Sequence, residues 1–548
     1  MYSLFRIFFL LIIISIVGCS STVTVDHLLL NARIAQFEGD SLFYKYSNLT
    51  LINGKIDRIL DTNSIAFNSR NSRIDLKGAY VYPGFIDAHA HFLHQGMVLK
   101  SINLQGTKSW EQCVQIVKKF IINNPEEEVY RGQGWDQNDW FIKKFPDNSQ
   151  LEKLSNRPIL LSRIDGHATL ANSVAIKESD INEKSKIDGG EVISKNGILT
   201  GLLIDNAQSL LIIKKPSKYE KCRALLAAQD EAFKVGLTGI HEAGLPTEDI
   251  NLINELQKNG ELKMPLYVMI SESPAELTYW LDRGPLKTNL LDVRSFKFYS
   301  DGSLGSRGAL MSKPYSDRDN HYGFEIRSFN YMNSAAKRLA LNEWQMNTHS
   351  IGDSANRQML KIYQSFLNKR SKKDLRWRIE HAQVVKPIDR EAFRYGIIPS
   401  VQPSHATSDM DWAIERIGPE RISYAYAYSS LRESSNGILP LGTDFPVESM
   451  NPIYTFYSAI ARKSPDGHSK EGFQVEESLT REQALKGMTI DAAYASFQEN
   501  EVGQIKIGMW ANFSIFTTDI MSCAEDSITS LNVAETWIHG ERVYVKPK

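Results

Sequence analysis

One stretch of the sequence constrains the fold more than any other: Val81-Tyr-Pro-Gly-Phe-Ile-Asp-Ala-His-Ala-His91. Its apolar residues follow a Pro-Gly pair and predict a buried strand that ends at His89 and His91. Since side chains on a strand alternate between two faces, both imidazoles leave the same face at the same end. Two nitrogen ligands on one rigid element suit a metal ion. A lone His-x-His pair is more often a surface or core feature, so other segments have to supply further ligands.

Strand-like and helical segments alternate through the centre of the chain, a pattern typical of parallel α/β folds. Amphipathic segments such as residues 221–234 and 332–343 separate most of the strand candidates. The eight candidates are residues 84–91, 236–242, 265–270, 295–300, 345–350, 377–382, 397–402 and 438–444. Eight such units predict an α/β fold of the closed (β/α)8 class, a TIM barrel.

Two departures from a plain barrel are visible in the sequence. More than a hundred residues, about 100–225, separate the first two strand candidates, and we interpret them as an insertion over the barrel mouth. Both ends of the chain carry short strand patterns. We therefore expect one small discontinuous β-sandwich domain, built from residues 20–80 and 500–548, beside a barrel domain of residues 81–499.

The N-terminus reads as a targeting segment rather than as part of the fold. Residues 4–17 are almost wholly apolar, and the run ends at Gly18-Cys19-Ser20. This resembles a bacterial lipoprotein signal, which predicts a signal peptide over residues 1–19, a lipid on Cys19 and a place in the cell envelope, on the periplasmic or outer-surface side. The run is too short for a comfortable membrane span. A plain secretory signal or a short anchor is the alternative, and the choice between inner and outer membrane stays open.

The charge and cysteine content exclude several classes of function. The formal net charge is −1, so no large basic face for nucleic acid is expected. Beyond Cys19 only Cys113, Cys222 and Cys523 remain, and they are scattered without a Cys-x-x-Cys pair. Neither a disulfide framework nor a cysteine metal site is expected.

Ionisable residues stand near the ends of most predicted barrel strands, at the barrel face where enzymes of this fold place their active sites. Each alone has a structural interpretation, for example a turn residue for Asp444 or a snorkelling side chain for Lys297. We expect the whole set to converge on one site. It comprises His89, His91, Lys297, His349, His381 and Asp444.

With these residues the sequence resembles the amidohydrolase superfamily. Its local sequence motifs are similar to those of amidohydrolase family 3, the branch of N-substituted formamide deformylase-like enzymes. The resemblance covers essentially everything after the signal. Its main motifs are Tyr82-Pro-Gly-Phe-Ile-Asp-Ala-His-Ala-His91, Lys297-Phe-Tyr-Ser-Asp-Gly-Ser-Leu-Gly-Ser306, His349-Ser-Ile-Gly-Asp353, Arg378-Ile-Glu-His-Ala-Gln383 and Gly442-Thr-Asp-Phe-Pro-Val-Glu448. Smaller matches are Gly134-Trp-Asp136, Asp165-Gly-His167 and Gly201-Leu-Leu-Ile-Asp205.

The resemblance implies a role for each member of the set. The two histidines of the first strand bind the more buried metal, while His349 and His381 bind a second one. Lys297 matches a lysine that is often carboxylated and then bridges both metals. Asp444 contacts a metal and acts as the catalytic base. The expected cofactor is one or two divalent ions per chain, with Zn²⁺ first among the candidates, and carboxylation of Lys297 is left open.

The residue types suit this chemistry on physical grounds as well. Imidazole and carboxylate ligands fit Zn²⁺ or a similar ion, which lowers the pKa of a bound water from about 16 to about 7. A lysine buried among cations is driven toward its neutral amine, the form that reacts with CO₂. An aspartate can take a proton from water and return it to a leaving amine.

Further residues are candidates for contact with substrate. Loop packing is an equally good interpretation of those in the insertion, and Arg307 could instead pair with Asp317. His241, at the end of the second strand, is a candidate for indirect support of the site. The substrate-binding candidates are Trp135, Asp136, Asp165, His167, Arg307 and His405.

The sequence thus predicts a metal-dependent hydrolase that cleaves a C–N bond, other than a peptide bond, in a small amide, N-formyl or cyclic amide substrate. The same machinery could instead serve carboxylic or phosphoric esters, or the deamination of a ring. The more distant alternative is a non-catalytic binding lipoprotein. The expected partners are a small-molecule substrate and the membrane, through the lipid on Cys19, and a homo-oligomer is left open.

Overall fold

The computed structural model describes residues 24–62, 68–212, 214–367, 374–467 and 469–547. The predicted signal peptide, with Cys19, lies outside these residues. The N-terminal region supplies five strands, of which β1 pairs antiparallel with β2 and parallel with β4 and β5. They are β1 (Thr24–Glu38), β2 (Ser41–Ile52), β3 (Lys55–Asp61), β4 (Asn68–Asp75) and β5 (Tyr80–Pro83).

The first barrel strand, β6 (Phe85–Ala90), is buried along its whole length and leads into helix α1 (Phe92–Val98). The residues that follow form a separate six-stranded sheet in the order β11-β12-β10-β9-β8-β7, with an apolar core of its own. Its elements are β7 (Ile102–Asn103), α2 (Trp110–Asn123), β8 (Tyr130–Trp135), β9 (Ile159–Arg163), β10 (Ala168–Ala171), α3 (Ser173–Glu178), β11 (Gly190–Lys195) and β12 (Ile198–Asp205).

The chain then returns to the barrel and alternates helices with strands. Seven parallel strands lie side by side in the order β6-β13-β14-β16-β17-β18-β19, which confirms the TIM-barrel prediction. The new elements are α4 (Lys218–Lys234), β13 (Leu237–Leu245), α5 (Thr247–Lys258), β14 (Leu266–Ser271), α6 (Pro274–Arg283), β15 (Leu286–Lys287), β16 (Leu291–Tyr299), α7 (Phe329–Leu341), β17 (Gln345–Ser350), α8 (Asp353–Phe366), β18 (Arg378–His381), α9 (Pro387–Arg390) and β19 (Ile398–Ser400).

The predicted eighth strand, residues 438–444, is not a strand in the structure. Leu441 forms only an isolated parallel bridge with Val401, and its carbonyl accepts a hydrogen bond from the Ala88 amide at 3.1 Å. Pro440 has no N–H to donate to a ladder, and Asp444 has a left-handed φ of 62°, so regular pairing stops on both sides. The segment nevertheless fills the gap between β19 and β6 and closes the barrel.

The remaining helices and strands lead back to the N-terminal region. β20 pairs antiparallel with β5 and joins both chain ends in one sheet, so the predicted composite β region is confirmed, while its domain limits stay a prediction. Among the described residues, no helix is long and apolar enough to cross a membrane. The elements are α10 (Pro403–Asp409), α11 (Ala413–Ile422), α12 (Tyr428–Ser434), α13 (Pro452–Ala461), α14 (Arg481–Gly487), α15 (Ile490–Ala495), β20 (Phe513–Phe516), β21 (Glu535–Ile538) and β22 (Glu541–Val545).

Candidate metal centre

The histidine pair stands at the carboxyl end of β6, as the sequence predicts. His89 is fully buried, and its Nδ1 lies 2.5 Å from the Glu380 Oε2 atom on β18. This contact fixes the ring and directs Nε2 toward the barrel mouth. Burial, with a smaller effect from the nearby Lys297 charge, lowers the pKa of His89 to about 4. The imidazole is therefore neutral at pH 7, the form that binds a metal ion.

Glu380 is held in turn by Arg378, two residues earlier on the same strand. The Arg378 Nε and Glu380 Oε1 atoms are 2.7 Å apart, and both side chains are fully buried. The guanidinium also contacts His241 Nδ1 at 3.1 Å and Ser400 Oγ at 2.9 Å. Burial alone would raise the pKa of Glu380, but Arg378 and His89 together lower it below its usual range. Glu380 is thus an ionised carboxylate beneath the centre.

Asp444 approaches the histidine pair from the segment that closes the barrel. Its Oδ1 atom lies 3.3 Å from His91 Nε2 and 3.6 Å from His89 Nε2. Two ligands about 2.1 Å from one tetrahedrally coordinated ion lie about 3.4 Å apart, so these separations suit a shared ion. Oδ1 is buried and has no hydrogen-bond partner among the described residues. A buried carboxylate oxygen without a partner is costly, and a bound cation would satisfy it.

Lys297 on β16 reaches the same point from across the barrel. Its Nζ atom is 3.1 Å from His89 Nε2. The side chain is buried, and burial lowers the pKa of Lys297 to about 8. The neutral amine, which is the form that carboxylation requires, is therefore more abundant at neutral pH than in a solvent-exposed lysine.

His381 and His349 stand on the neighbouring strands β18 and β17. The His381 ring centroid lies 4.9 Å from that of His89 and 4.6 Å from that of His349. Burial lowers the pKa of both His349 and His381 well below the usual value, so both rings are neutral. His381 also has a left-handed φ of 74°, a strained conformation that turns its ring at the strand end toward the centre.

These side chains open into a cavity of about 590 Å³, large enough for a small organic substrate. The barrel and the inserted sheet both contribute to its walls. Five of the six predicted metal ligands line it, with His89 behind them: His91, Lys297, His349, His381 and Asp444.

A sequence model of the amidohydrolase family matches residues 73–544. The chain belongs to the amidohydrolase family. It is 30% identical to the protein LONG AFTER FAR-RED 3 of Arabidopsis thaliana, over 95% of this chain and 92% of that protein. It is 28% identical to the putative amidohydrolase YtcJ of Bacillus subtilis (86% and 90%) and 22% identical to an N-substituted formamide deformylase of Arthrobacter pascens (85% and 89%).

A solved structure has the same fold. The chain superposes on an uncharacterised metal-dependent hydrolase of Pyrococcus horikoshii with a TM-score of 0.74 and 24% identity, over 91% of this chain and 99% of that one. The two chains therefore share one fold over that length.

Three of the predicted substrate contacts lie on the wall that the insertion gives to the amidohydrolase cavity. Asp136 and Asp165 line it, and both pair at 2.5 Å with the buried guanidinium of Arg163. His167 lines it as well, with Nδ1 2.6 Å from Asp205 Oδ1. Asp205 thereby holds the ring, and the His167 centroid lies 5.1 Å from that of the predicted ligand His349.

Two predicted contacts are corrected. Trp135 is fully buried in the core of the inserted sheet, where its indole N–H donates to the Leu161 carbonyl at 2.7 Å. Its bulk packs against other aromatic rings and does not line the cavity. Arg307 is also absent from the cavity wall and forms an ion pair with Asp317 at 2.8 Å, the structural alternative foreseen for it. His405 does line the cavity.

Sequence reasoning did not assign the residues that orient the ligands. Glu380 holds His89, and Gln402 Oε1 contacts His381 Nδ1 at 2.7 Å. Strand alternation could have indicated one of them, because Arg378 and Glu380 fall on the same face of β18. No sequence signal pairs Glu380 with a histidine 291 positions earlier. The supporting role foreseen for His241 fits its contact with Arg378.

Proposed function

We propose that the chain is a metal-dependent hydrolase that cleaves a C–N bond, other than a peptide bond, in a small amide, N-formyl or cyclic amide substrate. The observation that carries the proposal is the unpartnered, buried Asp444 Oδ1, within 3.6 Å of two imidazole nitrogens in a substrate-sized cavity. The similarity to an N-substituted formamide deformylase supports the choice of bond.

His89, His91 and Asp444 would hold the first ion, and the family resemblance gives a second ion to Lys297, His349 and His381. Neutral imidazoles with carboxylate oxygens favour Zn²⁺. A divalent ion bound there supplies a water whose pKa is near 7 and polarises a substrate carbonyl.

The protein's own groups perform the remaining tasks. A hydrogen bond from His405 and the nearby imidazoles of His91 and His89 keep the pKa of Asp444 well below its usual value despite burial, so Asp444 is ionised and has a free carboxylate oxygen to accept a proton. It then donates that proton to the departing amine. His167, oriented by Asp205, lines the same cavity and is suited to hydrogen-bond the substrate.

A substrate screen tests the choice of bond. Protein lacking residues 1–19, supplied with Zn²⁺, should hydrolyse N-formyl amines, simple amides or cyclic amides faster than carboxylic esters, phosphoric esters or ring amines. Asp444→Asn should lower kcat by about 10²–10⁴-fold, the usual contribution of a general acid–base group. Faster cleavage of esters or ring amines would reassign the reaction. Tight binding without turnover of any class would favour the binding-protein alternative.

We also propose that the mature protein is anchored to the cell envelope by a lipid on Cys19. The apolar run and the Gly-Cys junction support this placement. In a bacterial host, full-length protein should fractionate with membranes and incorporate labelled palmitate, while Cys19→Ala should do neither. Equal incorporation of label by Cys19→Ala would contradict the proposal.

A further inference from the structure

The wall of the active-site cavity carries more carboxylates than the proposed chemistry uses. Asp444 belongs to the metal centre, and Asp205 holds His167. Three further carboxylates of the wall come from separate segments of the chain: Asp136, Asp409 and Glu448. We infer that these three carboxylates bind a cationic group, an ammonium or a guanidinium, which the substrate carries apart from the bond that is cleaved. The inference rests on the proposed function and names its substrate class.

Two of the three carboxylates are fixed in place through one oxygen only. Asp136 Oδ1 accepts hydrogen bonds from Arg163 at 2.5 Å and from the backbone amide two residues later at 2.8 Å. Asp409 Oδ2 accepts from the Tyr426 hydroxyl at 2.7 Å and from the Gln383 amide at 3.2 Å. Every one of these contacts leaves the other oxygen of the same carboxylate unused.

Glu448 repeats this arrangement. Its Oε1 atom accepts from the Ser408 hydroxyl at 2.6 Å and lies 3.0 Å from His405 Nδ1. Among the described residues, the second oxygen of each of the three carboxylates has no hydrogen-bond partner, and none of these oxygens is enclosed by protein. A carboxylate that is held by one oxygen and offers the other is an acceptor already in position for a ligand in the cavity.

The basic side chains of the wall are already engaged by the protein. Arg163 is buried and pairs with both Asp136 and Asp165 at 2.5 Å. Lys297 belongs to the proposed metal centre. Among the described residues, no other lysine or arginine lines the cavity. The wall therefore has acceptors for a substrate cation but no free cation for a substrate carboxylate.

The three carboxylates are close enough to repel one another. Burial raises the pKa of Asp409 to about 7, and the charges of Glu448 and Asp136 add to this shift although His405 and Tyr426 oppose it. A cation bound among the three relieves the repulsion. Within the described part of the chain, their oxygens do not converge within 4.8 Å as those of the metal centre do. An organic cation that spans them therefore suits them better than a single metal ion.

An aromatic side chain of the wall also suits a cation. Trp412 lines the same cavity and is only 5% exposed. The face of an indole ring attracts an ammonium or guanidinium group, most strongly where water is excluded. Hydrogen bonds between a cation and a carboxylate are also stronger than those between neutral groups.

Three formamides that differ only at the far end of the chain test the inference. They are 4-formamidobutylammonium, N-pentylformamide and 5-formamidopentanoate, which end in an ammonium, a methyl and a carboxylate group. With Zn²⁺-loaded protein lacking residues 1–19 at pH 8, kcat/KM for the ammonium compound should exceed that for the methyl compound by about tenfold or more, the value of one charge-assisted hydrogen bond. The carboxylate compound should be the poorest. Equal values, or a preference for either of the other two, would overturn the inference and leave the hydrolase intact.

Asp409→Asn and Glu448→Gln keep the shape of each side chain and remove its charge. In both variants the ratio of kcat/KM for the ammonium to that for the methyl compound should fall by about tenfold. Each ratio comes from one preparation, so a smaller folded fraction does not change it. Glu415→Gln is the matched control, since Glu415 pairs with Lys143 outside the cavity wall, and it should keep the wild-type ratio. A wild-type ratio in both cavity variants would contradict the role of these carboxylates.

A binding measurement decides the inference even if none of the formamides is cleaved, a result that would count against the proposed function alone. Saturation-transfer NMR with hexylammonium and with hexanol compares a cation with a neutral chain of similar length. Hexylammonium should bind more tightly, lose affinity as salt is added and bind more weakly to Asp409→Asn. Equal binding of the two probes to wild type would overturn the inference.

Discussion

At the scale of single residues, the carboxylate of Glu380 sets the orientation of a proposed metal ligand. Its Oε2 atom lies 2.5 Å from His89 Nδ1. Glu380→Gln keeps the shape of the side chain but removes the charge that favours a proton on Nδ1. We expect Zn²⁺ affinity to fall by about 10–100-fold, as is usual when the outer partner of a metal-binding histidine is lost. Competition against a chromophoric chelator measures this affinity.

Glu276→Gln is the matched control for that substitution. The Glu276 carboxylate also accepts two hydrogen bonds, both from Thr247, but among the described residues it contacts no histidine. Its Zn²⁺ affinity should equal that of wild type. An unchanged affinity in Glu380→Gln would show that the contact with His89 does not support metal binding.

Several residues of the site could be predicted because their positions follow from local geometry. His89, His349 and His381 each end a parallel strand, and such ends meet at one face of a barrel. The burial of Trp135 away from the cavity could not be predicted from local geometry. A tryptophan that lines a cavity and one that packs behind its wall have the same sequence pattern. Its indole N–H donates a hydrogen bond to the Leu161 carbonyl because of the way the inserted sheet packs, which depends on tertiary contacts.

At the scale of elements, the segment that closes the barrel depends on a glycine. A Cβ atom on Gly442 would lie 2.5 Å from the His89 amide nitrogen, which belongs to the backbone and cannot move aside. We expect Gly442→Ala to lower the free energy of unfolding by about 1–3 kcal/mol, the usual cost of overpacking. It should also weaken metal binding, because Asp444 is displaced. Urea unfolding and a Zn²⁺ titration measure the two effects.

Gly239→Ala, on the adjacent strand β13, is the control for this substitution. It distinguishes the effect of steric crowding from the effect of simply replacing a glycine. A Cβ atom there would be 3.5 Å from Ile86, an ordinary van der Waals contact. Its metal affinity should match that of wild type. Equal behaviour of the two variants would contradict the close approach of Gly442 to β6.

In the segment that closes the barrel, the position of the chain could be predicted from the sequence, but its backbone conformation could not. Residues 438–444 have the apolar pattern of a strand, and their place in the barrel was predicted. The loss of regular pairing depends on Pro440 and on the left-handed backbone of Asp444, which tertiary contacts impose. The Asp444 amide donates to the His89 carbonyl at 2.7 Å, a contact that links residues far apart in the chain.

The turn of the C-terminal hairpin carries a histidine whose titration affects stability. The His539 ring stacks on that of Trp510, with the ring centroids 4.0 Å apart. Burial lowers the pKa of His539 from 6.5 to about 4, while the Glu541 charge opposes this shift and the Lys55 charge adds to it. Between these values the unfolded chain binds more protons than the folded one. The contribution of His539 to stability therefore falls as the pH drops from 6.5 to 4, by at most about 3 kcal/mol.

His539→Asn tests this sign, because asparagine tolerates the left-handed φ of 48° at this position and does not titrate. Urea unfolding between pH 4 and 7 should show a shallower loss of stability toward acid in the variant than in wild type. Parallel pH profiles would contradict the buried, neutral state of His539.

At the scale of the whole molecule, two parts of the fold contribute residues to the cavity wall. The barrel supplies the proposed metal ligands, and the inserted sheet supplies His167 and its partner Asp205. The order of these modules could be predicted from the gap between the first two strands. The six-stranded form of the insertion could not, since several of its strands pair with residues about 30 positions away, across intervening loops and helices. Metal binding and substrate binding should therefore be separable by mutation.

His167→Ala should leave metal content unchanged and lower kcat/KM by about tenfold or more, the cost of one lost hydrogen bond to a polarised group. Metal analysis and steady-state kinetics on the same preparation measure both quantities. Loss of metal in this variant would instead make His167 part of the metal centre.

The most direct test of the central claim is metal analysis of protein lacking residues 1–19, beside a His89→Ala/His91→Ala variant. We expect about one or two divalent ions per chain in wild type and their loss in the double variant, with circular dichroism to confirm that both are folded. Folded wild type that holds no metal, even after refolding with Zn²⁺, would contradict the metal-dependent hydrolase and favour a binding protein on the same barrel.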